Sequence, residues 1–178
     1  VSHEAIAAWL QVGRLQAEKT ITPEIDKKKL ENNLNKLREL TVLDIKKAIE
    51  HIHIILNDCG VVFCMVPHFK STYINGATFW LENGKKAVIM MSLKGRYSDI
   101  FWFSFFHEVG HILLHKKREL FLEDGKTTKY EKQEHEANEF AKDLLIPEKD
   151  YQKFIEQDVF TGKSVQEFAK SINIKPSI

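Results

Sequence analysis

The 178 residues carry 26 Lys and Arg against 25 Asp and Glu, a formal charge of +1, so no global field would draw this chain to nucleic acid or to an acidic membrane surface. Apolar residues make up 43% and include twelve Phe, which is enough for one packed domain and excludes the composition of a disordered chain. The longest apolar runs, 61–67 and 100–106, stop far short of the roughly 18 residues a membrane span requires.

The first residues, Val1-Ser2-His3-Glu4-Ala5, have neither the basic nor the apolar part of an export signal, which favours a cytoplasmic protein. Cys59 and Cys64 are then expected as reduced, buried thiols. A Cys-x4-Cys zinc pair would need a second pair that the sequence lacks. Residues 4–19 read as a helix with Ile6, Leu10, Gly13 and Ala17 on one stripe and Trp9 beside it, an arm or linker over 1–22 ahead of a domain over 23–178. Thr22-Pro23 offers a cap and a first-turn proline to a helix through Leu30, Leu34 and Leu37, whose lysines form a solvated face. Thr41-Val-Leu-Asp44 matches a capping box, and Ile45, Ile49, Ile52 and Leu56 continue a helix that Gly60 can close. His51 and His53 on that helix are two apart and do not share a face.

Residues 61–66 form an apolar, β-branched run ended by Pro67, as a strand requires. Residues 77–82 and 87–92 around Asn83-Gly84 predict a hairpin on a type I′ turn and a small antiparallel sheet. Helices are expected over 98–115 and over 131–146, the latter stopped by Pro147, with a last short helix capped by Ser164-Val-Gln-Glu167.

The chemistry concentrates in His107-Glu-Val-Gly-His111. Residues four apart on a helix stand one above the other at about 5 to 6 Å, so His107 and His111 can aim at one ion. Zinc accepts imidazole nitrogen, and a catalytic zinc site uses three protein ligands with a fourth position left for water. Glu108, rotated about 100° from His107, is badly placed as a ligand but well placed to take a proton from that water. Gly110 inside the motif would cost about 1 kcal/mol against Ala in a helix interior, which points to a close neighbour. The apolar run Ile100-Phe-Trp-Phe-Ser-Phe-Phe106 marks this helix as deeply buried, where imidazoles and a carboxylate without partners would be costly.

Two carboxylates compete for the third ligand position. Glu134, Ala137, Asn138, Ala141 and Leu145 form one helical stripe, so Glu134 is preferred over Glu136, with Asn138 one turn on to hydrogen-bond a ligand histidine from outside. His135 is expected at the surface. His115, one turn past His111, either lines the cleft or ends the helix, where a partly positive ring suits the negative dipole end. Arg96, Tyr97 and Tyr130 are candidates for polarising a tetrahedral intermediate.

His107-Glu-Val-Gly-His-Ile-Leu-Leu-His115, followed by Glu134-His-Glu-Ala-Asn-Glu-Phe-Ala141 and Leu144-Leu-Ile-Pro147, resembles the ImmA/IrrE metallo-endopeptidases. Residues 9–14, 37–41, 76–81 and 101–108 are similar to the branch fused to an XRE-type helix-turn-helix of the HigA antitoxin kind. The resemblance implies an α+β, zincin-like core with the small antiparallel sheet on the HExxH helix. It carries over Zn2+ with His107, His111 and Glu134 as ligands and Glu108 as base.

It also implies cleavage of a repressor-like protein within a transcriptional regulator of the toxin–antitoxin type. The alternative is a non-proteolytic sensing or assembly domain. Partners expected are a protein substrate or regulator, with a homodimer left open, no membrane, and DNA only through a domain absent from this chain, which then reads as a fragment. Residues 165–178 resemble half of a helix-turn-helix with no recognition helix after it.

Overall fold

The computed structural model describes residues 2–69, 74–92, 98–115 and 127–178. Eight α-helices and three strands alternate along them: α1 (His3–Lys19), α2 (Lys27–Asn32), α3 (Leu34–Glu39), α4 (Ile45–Asp58), β1 (Val61–Met65), β2 (Gly76–Leu81), β3 (Lys86–Met91), α5 (Ser98–Leu114), α6 (Thr127–Leu145), α7 (Glu148–Ile155) and α8 (Gly162–Ser171). No helix among the described residues is long and apolar enough to cross a membrane.

The sheet has the order β1-β3-β2. Every residue of β3 is buried, as a central strand covered on both faces demands. β2 pairs antiparallel with β3, but β1 pairs parallel with it, from Val61 opposite Ala87 to Met65 opposite Met91. The expected all-antiparallel sheet is therefore corrected to a mixed one: apolar patterning marks strands, but it does not say which neighbours pair. The hairpin turn differs as well. Leu81 faces Lys86, leaving four residues in the connection, with Glu82 and Asn83 both at positive φ, 52° and 55°. Lys86, buried at the end of that turn, binds Glu82 at 2.6 Å and donates to the Thr20 carbonyl at 3.0 Å, which ties the turn to the end of α1.

Side chains alternate between the two faces of the sheet with period two. Val61, Phe63, Ala87, Ile89 and Met91 meet Ile52 and Leu56 of α4 and Trp102, Phe105, Phe106, Val109 and Ile112 of α5. Val62, Cys64, Val66, Phe79, Val88 and Met90 form the other face, under Trp9 and Ala17 of α1. α1 is thus a packed layer of the core where an arm or linker was expected. Trp9 is fully buried, and its indole N–H donates to the Val66 carbonyl at 3.3 Å. Cys59 and Cys64 are both free and buried, one in each apolar layer, and burial pushes the Cys64 thiol up to about 11.

Several helix starts differ from the sequence expectation because a nearer carboxylate or hydroxyl reaches the exposed N–H groups first. Asp26 caps α2 by accepting from the Lys29 N–H at 2.9 Å, downstream of Thr22-Pro23, and the helix breaks at Asn33 before α3. Asp44 alone caps α4, while Thr41 is buried in a 3-10 turn and its hydroxyl has no hydrogen-bond partner. Thr161 and Ser164 form the capping box of α8, one turn earlier than expected. α7, absent from the sequence expectation, joins α8 through Phe154 stacked on Phe168 at 4.5 Å.

Two basic residues do not belong to a solvated face. Lys27 donates to the His115 carbonyl at 2.9 Å, just past α5, and sits 5.6 Å from the Trp80 ring. Arg38 donates to the Leu144 and Leu145 carbonyls at 2.7 and 2.9 Å. Each satisfies the unpaired carbonyls at a helix C-terminus and complements its dipole, and burial lowers the proton affinity of both.

Trp9→Ala should cost about 3–5 kcal/mol in urea denaturation, the price of a large aromatic cavity in a core; a cost below about 1 kcal/mol would mean that α1 is detachable.

Candidate metal centre

Two helices build the site, and their approach depends on Gly110. A Cβ on Gly110 would lie 3.0 Å from a Phe140 ring carbon and 3.4 Å from the Ala137 Cα, so any larger residue would require the Phe140 ring to give way. Ala137 and Ala141 are fully buried along the same contact. At this separation α6 places Glu134 against both histidines of α5. The Nε2 of His107 is 3.3 Å from Glu134 Oε2, and the Nε2 of His111 is 3.2 Å from Glu134 Oε1. The two Nε2 atoms are 2.9 Å apart. One ligand atom from each of the three residues lies within 4.8 Å of the others, the only such group of three His, Cys, Asp or Glu among the described residues.

The outer contacts hold the two rings edge to face, their centroids 4.5 Å apart. Asn138 Oδ1 lies 2.8 Å from His107 Nδ1. An amide oxygen only accepts, so Nδ1 carries the proton and the Nε2 lone pair of a neutral His107 points into the cluster. His111 Nδ1 lies 3.1 Å from His115 Nδ1, and His115 Nε2 lies 3.0 Å from Glu136 Oε2. His115 is therefore buried behind His111, where a place lining the cleft was one of two expectations. Glu136 is engaged there and Glu134 alone reaches the cluster, while His135 is exposed.

Glu108 is buried between α5 and β2. The Thr78 hydroxyl donates to its Oε2 at 2.7 Å, and Gly76 passes so near that a Cβ there would come 2.9 Å from Glu108 Cγ and 3.0 Å from Oε1. Gly76 and Thr78 fell within a stretch similar to the HigA-type branch, but their place beside Glu108 was missed; two apart on a strand, they share one face, and nothing local pairs that face with α5. Tyr130 lies one turn before Glu134 on α6 and is half exposed, whereas Arg96 and Tyr97 lie outside the described residues.

Burial would lower the proton affinity of His107, but the bond to Glu134, the charges of Glu108 and Glu134 and the Asn138 contact outweigh it, and its pKa is raised. A proton relieves the crowding of imidazole nitrogens and a carboxylate, and a cation would do the same. Nitrogen and carboxylate donors in this number suit a divalent transition metal.

Residues 98–171, from α5 through α8, match the family model Peptidase_M78, described as the IrrE N-terminal-like domain. That family is one of metallopeptidases, and the matched segment contains all three candidate ligands and Glu108. Among curated proteins, none matches the chain.

A raised folded pKa adds stability that is fully present below the unfolded value and is lost as pH rises through the folded one. The metal-free protein should therefore lose stability as pH rises above about 6.5, the ordinary histidine value. His107→Gln should flatten that part of the urea-midpoint profile; an unchanged slope would remove His107 as its source. Gly110→Val should destabilise the fold by about 1–3 kcal/mol through overpacking against Phe140 and lower metal affinity with it, read by denaturation and chelator competition.

Proposed function

We propose that this chain is a zinc-dependent endopeptidase domain with a zincin-like core, acting on a repressor-like protein as part of a transcriptional regulator. The observation that carries the reading is the convergence of His107 Nε2, His111 Nε2 and a Glu134 oxygen within 4.8 Å, with Glu108 on the same helix. The donor set fits zinc: two neutral imidazoles and one carboxylate leave a fourth tetrahedral position for the reaction. The matched peptidase family supports the hydrolytic class, and the HigA-like sequence resemblance supports the regulator setting.

When bound, zinc supplies Lewis acidity that polarises a carbonyl and makes water acidic near neutral pH. His107, His111 and Glu134 hold that charge in place. Glu108 accepts the proton of the attacking water as the new C–O bond forms, then passes it to the leaving amine nitrogen as the C–N bond breaks. The Thr78 hydroxyl donates to Oε2 and limits the carboxylate's rotation, which holds it on the face of α5 turned toward β2. Small side chains at 76 and 78 keep β2 close enough to do this.

Glu108→Gln should keep one equivalent of zinc and lose cleavage of a cognate repressor by a factor of about 10² to 10⁴. Cleavage at the wild-type rate would remove Glu108 as the base. Gly76→Val, which displaces the same carboxylate without touching a ligand, should retain zinc and slow turnover on the order of 10²-fold.

A further inference from the structure

We infer that Glu136 and His115 form an ordered hydrogen-bond relay that fixes His111 with its proton on Nδ1 and its Nε2 lone pair directed into the metal cluster, which makes His115 a positioning residue. The inference rests on the metal-binding reading above for its consequence, but not for its geometry.

Glu136 carries a carboxylate, further held by Lys132 at 3.7 Å, and an ionised carboxylate only accepts hydrogen bonds. At 3.0 Å from Oε2, His115 Nε2 must therefore be the donor. A neutral His115 then presents its lone pair at Nδ1. That atom is 3.1 Å from His111 Nδ1, and one proton must lie between them. It belongs to His111. The remaining lone pair of His111 is at Nε2, the atom 3.2 Å from Glu134 Oε1 and 2.9 Å from His107 Nε2.

Burial makes this order binding. The His111 side chain is 0% exposed and that of His115 4%, so water cannot replace His115 as acceptor. An isolated imidazole prefers its proton on Nε2, the nitrogen that this site needs bare. His107 meets the same need by the shorter route of Asn138, which accepts directly from α6. His115 does for His111 what Asn138 does for His107, with Glu136 of α6 as the anchor. The position of His115 is itself secured: its carbonyl accepts from Lys27, and its N–H donates to the His111 carbonyl at 3.3 Å.

The acceptor, not the ring, is what matters. Asparagine carries an oxygen at the same place along the side chain as histidine's Nδ1, whereas phenylalanine keeps the ring and loses the acceptor. H115N should therefore preserve the relay's inner bond and H115F should break it. Two measurements on the 178-residue chain separate the cases: long-range ¹H–¹⁵N NMR of the metal-free protein, with His111 assigned by its loss in His111→Gln, and zinc affinity by chelator competition.

Wild type and H115N should show His111 protonated at Nδ1 and bind zinc comparably. H115F should shift His111 to the Nε2-protonated form and weaken zinc about 10- to 100-fold, the usual cost of losing an outer partner. Should H115F fold poorly, E136A leaves the core untouched, frees His115 to reverse its tautomer, and should give His111 as a mixture. An Nε2-protonated His111 in the wild type, as a cationic His115 donating inward would produce, overturns the relay. So does H115F with His111 unchanged and zinc affinity intact. If the wild type takes up no zinc, the metal-binding reading fails, while the tautomer of His111 still decides the relay.

Discussion

The separation of α5 and α6 at Gly110 is the constraint on which the site depends. A carboxylate side chain on α6 must reach two imidazoles on α5 at once, and each reach is only a few ångströms. The Phe140 ring and the Ala137 backbone stand 3.0 and 3.4 Å from the position a Cβ would take, so a side chain there would press directly on this approach. The helix-propensity penalty of an interior glycine is about 1 kcal/mol, modest for a residue that lets Glu134 of α6 reach the buried His111 and the half-buried His107. The two alanines along the same stripe serve the same approach from the other side.

That approach creates an electrostatic conflict. Two Nε2 atoms at 2.9 Å and two carboxylate oxygens beyond them make a cluster of inward acceptors, and the outer contacts at Asn138 and His115 leave the ring protons on the far side. Such an arrangement is costly unless something positive sits inside it, because a low-dielectric surrounding magnifies repulsion as well as attraction. The raised proton affinity of His107 is the response of the metal-free chain to that conflict. The same donors that draw in a proton compete for it with a metal, so metal affinity and proton affinity at this site oppose one another as pH changes.

The parts of this fold legible in the sequence are those with a local period or spacing. The four-residue step of His107 and His111, the Glu134 stripe and the Asn138 turn all follow from helical geometry, and each falls where that geometry puts it. Gly110 announced a close neighbour without naming Phe140. What the sequence withheld is long-range. Nothing local says that β1 joins β3 in parallel, that Trp9 lies under the sheet, or that Lys27 and Arg38 leave a lysine-rich helix pair to close the ends of α5 and α6. His115 shows the boundary between the two. Its spacing placed it on the face of His111, but whether it opened to a cleft or backed the ring turned on where Glu136 lay, two residues from a better candidate on another helix.

The segment that matches the peptidase family holds every candidate ligand, yet it does not hold the site by itself. Glu108 takes its orientation from Thr78 and its clearance from Gly76, both on β2. β2 is held in register by β3, and β3 is sandwiched between α5 and α1. The α5 terminus that carries His115 is tied down by Lys27, and the far end of α6 by Arg38. The candidate ligands can therefore be read from α5 and α6 alone, but the position of Glu108, the proposed base, is a property of the whole three-layer arrangement. A change that loosens α1 or the turn at 82–85 would reach the chemistry through Thr78 before it reached the metal, altering proton transfer while leaving the ligand atoms where they are.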